Sequence, residues 1–116
     1  MIVDKPWGTV ATFALNQPTS VRMITVLPGQ ETSVHYHQLR DEMWVVLDQG
    51  ITLKIGDRNV AAEPGEEFVV PAEETHRISN AGPGPGRVLE IAYGYTTEDD
   101  TLRLHDDYGR PLEPGW

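Results

Sequence analysis

The residues with the clearest capacity for chemistry are three histidines and one glutamate, His35, His37, Glu42 and His76. Alternate side chains of an extended strand face the same side, so the sequence predicts that His35 and His37 point to one spot. Glu42 follows a polar turn and opens an apolar run, which predicts a neighbouring strand that brings its carboxylate beside the imidazoles. Three imidazoles and a carboxylate are a suitable ligand set for a divalent metal ion.

The predicted site uses nitrogen and oxygen donors, because the chain contains no cysteine. Such a set leaves one or two positions of a five- or six-coordinate ion open, which is typical of a catalytic site. The ligand types suit Zn, Mn, Fe and Ni about equally, so we expect one divalent ion whose identity stays open. A lone histidine on a strand more often packs in a core or lies at the surface, whereas the His-x-His pair with Glu42 and His76 favours a metal.

The elements that position these residues are predicted to be strands. Short alternating segments are separated by Gly, Pro, Asn and Asp, and no window keeps a helical period over three turns. This pattern predicts an all-β fold, a sandwich or a barrel. Strands are expected near residues 9–15, 20–27, 32–37, 42–47, 51–55, 60–62, 67–70, 76–79, 88–93 and 102–105. Turns are expected at 28–29, 56–59 and 64–65.

Length and charge limit the possible partners. The 116 residues suit a single domain, with a barrel at about 8–95, an N-terminal arm at 1–7 and an acidic C-terminal clasp at 96–116. Lys plus Arg number 9 against 18 Asp plus Glu, and the formal charge of -9 argues against nucleic acid or an anionic membrane as partner. Because there is neither a signal-peptide pattern nor a membrane-length apolar run, we expect a cytoplasmic protein.

Two stretches resemble the two motifs of the cupins: Gly29-x5-His35-x-His37-x4-Glu42-x7-Gly50 and Gly65-x5-Pro71-x-Glu73-x2-His76-x3-Asn80. This resemblance implies a single-domain cupin, a double-stranded β-helix or jelly-roll barrel. Within the cupins, the chain is similar to the C-terminal domain of type II mannose-6-phosphate isomerase, which is often fused to a mannose-1-phosphate guanylyltransferase. Four stretches carry that similarity: 5–8, 28–46, 70–80 and 98–110.

The resemblance implies a metal-dependent aldose–ketose isomerase whose small-molecule substrate is a sugar phosphate. Glu90 is the expected base, because it alternates with Leu89 and Ile91 on a strand that lines the barrel interior with one of its faces. A role in orienting a ligand is the alternative for this carboxylate. Cations are needed for the phosphate, and Arg40 matches an arginine that the isomerases carry between their metal-binding His and Glu.

Further candidates for substrate binding are Arg77, Arg22, Lys5 and Trp44, with Arg103 as an additional cation. The arginines and the lysine are individually more typical of solvated surface charges. Trp44 could stack on a sugar ring, although buried packing is the more common role of a tryptophan.

Four residues differ from the isomerase pattern. Met43 stands where the isomerases usually have His, Ala92 where they have Gln, Arg22 where they have Lys, and His35 where they commonly carry Gln. Two other functions therefore stay open: a cupin oxygenase that uses Fe, and a non-catalytic metal-containing cupin that binds a sugar or small anion. We also expect a homodimer, because barrels of this size often pair through an edge strand or a hydrophobic face.

Overall fold

The computed structural model describes residues 1–97 and 100–110, and this part of the chain is built from β-strands. The strands are β1 (Ile2–Lys5), β2 (Gly8–Ala11), β3 (Thr19–Val26), β4 (Val34–His37), β5 (Glu42–Val46), β6 (Ile51–Ile55), β7 (Arg58–Ala61), β8 (Glu67–Val70), β9 (His76–Asn80), β10 (Gly86–Tyr93) and β11 (Thr101–His105). The all-β prediction is confirmed. None of the described residues form a helix that is long and apolar enough to cross a membrane.

Two antiparallel sheets form the body of the molecule. One has the strand order β3-β10-β5-β8 and the other the order β11-β4-β9-β6-β7. Since alternate residues of a strand face the space between the sheets, every second position of β4, β5, β6, β8 and β9 is buried there. Apolar side chains fill much of that space: Val26, Trp44, Val46, Ile51, Leu53, Ile55, Ala62, Phe68, Val70, Ile78 and Val88. The rest of the interior is polar, and it contains the predicted site.

The predicted turns hold the strands in place. Gly29 and Gly65 have φ of +75° and +90°, a backbone region that glycine adopts without steric cost. Between β6 and β7 the turn is shorter than the predicted 56–59, because Ile55 already pairs with Arg58. Glu73 stands where the second cupin motif commonly has Gly, and its φ of +71° shows that the left-handed backbone is kept without the glycine.

The last residues of the two cupin motifs, Gly50 and Asn80, meet beside the core. The Asn80 side-chain amide donates to the carbonyl oxygens of Val26 and Gly84, both at 2.8 Å, and its Oδ1 accepts from the Gly82 amide at 2.8 Å. Gly50 has a φ of +91°, and a Cβ there would lie 2.6 Å from the Gly82 backbone. The backbone at Gly50 therefore lies close to the backbone at Gly82, and the buried side-chain amide of Asn80 stabilises this approach. The glycine and the asparagine that end the two motifs are the residues that this contact requires.

The N-terminal residues differ from the sequence prediction of an arm followed by a strand at 9–15. β1 and β2 instead form a separate two-stranded sheet, in which Lys5 pairs with Gly8 across a two-residue turn. β2 ends at Ala11. The chain then crosses to the body, where the Tyr93 hydroxyl donates to the Phe13 carbonyl at 2.9 Å. A short hairpin of this kind leaves little periodic signal in the sequence, which is why it was not predicted.

Candidate metal and substrate site

Strands β4 and β9 lie side by side and bring three histidines together. His35 is directly opposite His76 in the antiparallel register. His37, two residues further along β4, faces the same interior. Each ring offers one nitrogen, and these atoms all lie within 4.8 Å of one another. The predicted convergence of the imidazoles is therefore present in the structure, with all three side chains buried.

Main-chain carbonyl groups set the protonation of the three rings. Each Nδ1 lies within hydrogen-bond distance of a carbonyl oxygen: His35 of Ser33 at 3.1 Å, His37 of Asp100 at 3.2 Å and His76 of Glu74 at 3.0 Å. Because a carbonyl oxygen only accepts, each Nδ1–H donates and each Nε2 keeps its lone pair. His76 Nε2 is buried and has no hydrogen-bond partner among the described residues. Oriented Nε2 lone pairs in one group fit the needs of a divalent cation.

The histidines are neutral at physiological pH. Burial is the main cause that lowers the pKa from the ordinary 6.5 to about 2 for His35, about 3 for His37 and about 4 for His76. Repulsion from a charged His76 adds to the lowering for both His35 and His37. Neutral imidazole is the form that binds a metal, so the protein environment favours ligation.

The metal-free protein is expected to lose stability when the pH falls below about 6.5. The unfolded histidines take up protons near that pH, whereas the folded ones resist protonation until the pH approaches their lowered pKa values. For every unit that the pH falls below about 6.5, each histidine therefore lowers the free energy of unfolding by about 1.4 kcal/mol, until the pH reaches the lowered pKa of that histidine. Urea denaturation of chelator-treated protein from pH 7.5 to 4.5 measures the slope.

A matched pair of variants separates this effect from general acid denaturation. His76→Gln should reduce the slope by roughly a third, since one of three buried histidines is removed. Leu104→Gln, which introduces no titratable group at an exposed position in β11, should leave the slope unchanged. A free energy of unfolding that stays constant between pH 7.5 and 5 would show that the three imidazoles are not buried in neutral form.

Glu42 is held by its neighbours in this structure. Its Oε1 accepts from Trp44 Nε1 at 3.0 Å, and its Oε2 accepts from Arg40 Nε at 2.6 Å. The same Oε2 lies 3.4 Å from His37 Nε2, and Arg40 Nη2 donates to that nitrogen at 3.0 Å. The guanidinium of Arg40 therefore contacts two donor atoms that the predicted metal would use. In this arrangement the ligand group consists of the three histidines without Glu42.

A second buried carboxylate, Glu90, faces the interior from β10. Its Oε1 accepts from Arg22 Nε at 3.0 Å and from Nη2 at 2.8 Å. Its Oε2 is buried and has no hydrogen-bond partner among the described residues. Burial, followed by repulsion from Glu42, raises the pKa of Glu90, and the Arg22 hydrogen bond opposes that rise. The charge of Glu90 also acts on His76, so the carboxylate and the histidine group share one interior.

Two predicted substrate-binding residues lie outside this interior, and a third is fully buried in the packing, where a substrate has no access to it. Arg77 follows the inward His76 on β9 and so faces outward, where it pairs with Glu31 and Asp107 at 3.1 Å. Lys5 is exposed in β1, in the separate hairpin sheet. Trp44 is fully buried with its ring 5.1 Å from that of His76, so it packs in the interior and holds Glu42.

Sequence reasoning placed Asp100 in the acidic C-terminal clasp but gave it no individual role. Its carboxylate accepts from the backbone amides of Gln38 at 2.9 Å and Leu39 at 3.0 Å, which fastens the turn between β4 and β5. Its own carbonyl accepts from His37, as described above. The signal was present, because Asp100 lies in one of the stretches that resemble the isomerases. Within the predicted clasp, Glu98, Asp99 and residues 111–116 lie outside the described residues.

Two antiparallel sheets around an interior group of three histidines define the chain as a cupin, a double-stranded β-helix protein. Among solved structures, a sugar phosphate isomerase of the cupin superfamily from Silicibacter pomeroyi superposes with a TM-score of 0.61 at 22% identity, covering 84% of this chain and 73% of that one. The family model described as mannose-6-phosphate isomerase C-terminal matches residues 1–106. The chain belongs to this family.

Curated relatives extend the comparison along most of the sequence. The alginate biosynthesis protein AlgA of Pseudomonas aeruginosa is 33% identical over 113 residues, which are 97% of this chain and 24% of that protein. The mannose-1-phosphate guanylyltransferase of Escherichia coli K12 is 36% identical over 110 residues, 93% of this chain and 23% of that protein. The chain thus spans about a quarter of the length of these relatives.

Proposed function

We propose that this chain is a metal-dependent aldose–ketose isomerase domain that acts on a hexose phosphate of the mannose 6-phosphate type. The observation that carries the proposal is the pairing of two features in one buried interior. A histidine group suited to a cation lies there together with a second carboxylate, Glu90, that has one oxygen without a hydrogen-bond partner among the described residues. Isomerisation needs both a base for carbon-bound hydrogen and a means to stabilise charge on a carbonyl oxygen.

The reaction moves one proton between adjacent carbons. Glu90 removes the proton from C2 of the aldose, and the electron pair forms the C1–C2 double bond of an enediolate as the carbonyl oxygen takes the charge. The C2 hydroxyl proton passes to the C1 oxygen, and the proton held by Glu90 is delivered to C1 as the C2 oxygen becomes the carbonyl of the ketose. Arg22 orients Glu90 through the two hydrogen bonds to Oε1, which leaves Oε2 as the atom for proton transfer.

The ion is proposed to be held by His35, His37 and His76, with Glu42 as an additional ligand. A bound divalent cation supplies Lewis-acid polarisation of the substrate carbonyl. The buried Nε2 of His76 and the carbonyl-fixed tautomers support this assignment. Zn, Mn, Fe and Ni all accept such ligands, and the choice among them stays open.

Arg40 is proposed to bind the substrate phosphate after it leaves its present contacts. Its side chain is buried, and it donates to His37 Nε2 and Glu42 Oε2, the atoms assigned to the ion. One lone pair on Nε2 cannot serve the guanidinium and a cation together, so ion binding requires that Arg40 release His37. A guanidinium freed in this way can take two phosphate oxygens at once. Arg22, which is 33% exposed in its side chain, is the second proposed phosphate contact.

The test is direct turnover. Metal-replete protein incubated with mannose 6-phosphate should form fructose 6-phosphate, and His37→Ala should reduce the rate to background. The matched control is His105→Ala, which removes an exposed histidine outside the barrel interior. No conversion of several hexose and pentose phosphates by the metal-replete protein would overturn the isomerase assignment. Oxygen consumption with Fe would then favour the oxygenase, and binding without conversion would favour a sugar- or anion-binding module.

A further inference from the structure

The guanidinium of Arg40 is buried, and its hydrogen-bonding capacity is only partly used. Nε donates to Glu42 Oε2 at 2.6 Å, and Nη2 donates to His37 Nε2 at 3.0 Å. The third nitrogen, Nη1, is buried and has no hydrogen-bond partner among the described residues. A buried donor that lacks an acceptor destabilises the arrangement that contains it. This cost favours a second position of the guanidinium, in which an anion supplies acceptors.

The backbone is anchored on both sides of Arg40. Before it, the Asp100 carboxylate accepts from two consecutive backbone amides of the turn, at 2.9 Å and 3.0 Å. After it, Asp41 accepts from the Ala72 amide through Oδ1 at 2.7 Å, and from the Tyr93 amide through its carbonyl oxygen at 3.1 Å. Because both flanks of the turn are held, we expect the Arg40 side chain to change position by rotation about its own bonds.

The present position of the guanidinium excludes both ligands of the proposed site. The lone pair of His37 Nε2 accepts from Arg40, so the same lone pair cannot bind an ion. The Arg40 side chain is 1% exposed, so a phosphate has no access to it there. Release of the guanidinium frees His37 and Glu42 for the ion and offers paired N–H groups to a phosphate. Both ligands therefore require the same movement of one side chain.

We propose that Arg40 couples the two ligands of this site, so that a phosphate group and a divalent cation each tighten the binding of the other. The inference rests on the proposed function, because it uses the histidine site and the phosphate contact assigned there. The ligand that binds first must break the two hydrogen bonds of Arg40, and the second ligand binds to a site that is already open. By thermodynamic linkage, the two affinities increase by the same factor.

Metal-free protein and inorganic phosphate test the movement of Arg40 alone. Phosphate should shift the ¹⁵N NMR signal of His37 Nε2, which loses its hydrogen bond from Arg40, and should leave that of His76 Nε2 in place. In Arg40→Gln the His37 signal should not respond to phosphate. The experiment involves neither a metal–phosphate contact nor turnover, so its result is independent of the isomerase assignment. A wild-type His37 signal that stays unchanged in tens of millimolar phosphate would overturn the proposal.

Calorimetric titration with Mn²⁺, with and without inorganic phosphate, measures the coupling. In the wild type, phosphate should lower the dissociation constant for free Mn²⁺ by at least about fivefold, within the usual range of coupling between two sites. Saturating Mn²⁺ should lower the dissociation constant for phosphate by the same factor. In Arg40→Gln, Mn²⁺ should bind equally tightly with and without phosphate. Circular dichroism checks that the variant is folded.

The matched control is Arg58→Gln, which makes the same chemical change at an exposed position in β7 and should keep the full coupling. Coupling that persists in Arg40→Gln would show that phosphate acts directly on the ion, and it would overturn the proposal. Equal Mn²⁺ affinities of the wild type with and without phosphate would overturn it as well. Absence of turnover with intact coupling would instead count against the isomerase assignment alone.

Discussion

Glu90→Gln is expected to lower the turnover number for sugar-phosphate isomerisation by about 10²–10⁴-fold, the usual contribution of a general base. The substitution preserves the shape of the side chain and an oxygen that can accept from Arg22, but it removes the group that takes up the proton. Metal content should be unchanged, because Glu90 is not in the histidine group. The measurement is steady-state kinetics combined with deuterium incorporation at C1 and C2 in D₂O.

The control for Glu90→Gln is Glu67→Gln, which makes the same chemical change at an exposed position on β8. Its turnover should equal that of the wild type. The base assignment fails if Glu90→Gln retains a turnover within about threefold of the wild type, or if deuterium still exchanges at the wild-type rate while net turnover is lost. In either outcome another group carries the proton.

His76→Ala is expected to weaken divalent-ion binding by at least about 100-fold, beyond the 10–100-fold typical of residues that only support a ligand. The ring contributes a buried Nε2 that has no hydrogen-bond partner among the described residues. Its removal therefore deletes one ligand of the ion and frees no other side chain to replace it. Competition with a chromophoric chelator measures the dissociation constant, and elemental analysis should show that the ratio of about one ion per chain is lost.

Arg40→Gln is a control in which the affinity for the ion is expected to rise, whereas it falls in His76→Ala. Removing the guanidinium deletes a positive charge beside the proposed ion and frees His37 Nε2 and Glu42 Oε2, so the ion should bind more tightly. The same variant should raise KM for a sugar phosphate, since the proposed phosphate contact is gone. Weaker ion binding in Arg40→Gln would contradict competition between Arg40 and the ion. Unchanged ion binding in His76→Ala would contradict the histidine site.

Local spacing predicted the parts of the site that depend on strand geometry. The His35-x-His37 pair shares a face because strands alternate, and the all-β fold followed from the same periodicity and the turn residues. Glu90 was predicted to alternate with Leu89 and Ile91, and the structure puts it in the interior. Each of these inferences needs only neighbouring residues in the sequence.

Features that depend on long-range packing could not be predicted in this way. The same alternation that turns His76 inward turns Arg77 outward, but which face is inward depends on the sheet that packs against β9. The contact of Arg40 with Glu42 and His37 requires a buried turn geometry that the sequence does not specify. Asp100 reaches that turn from a segment more than 60 residues later, so only the three-dimensional structure reveals its role.

The most direct test of the central claim is the position of a metal ion in crystals of the metal-loaded protein, located by its anomalous scattering. The account predicts one peak per chain, about 2.0–2.1 Å from the Nε2 atoms of His35, His37 and His76 when the ion is Zn, with the Arg40 guanidinium moved away from His37. A peak outside the barrel, or no peak with the three imidazoles bonded to other protein groups, would contradict it.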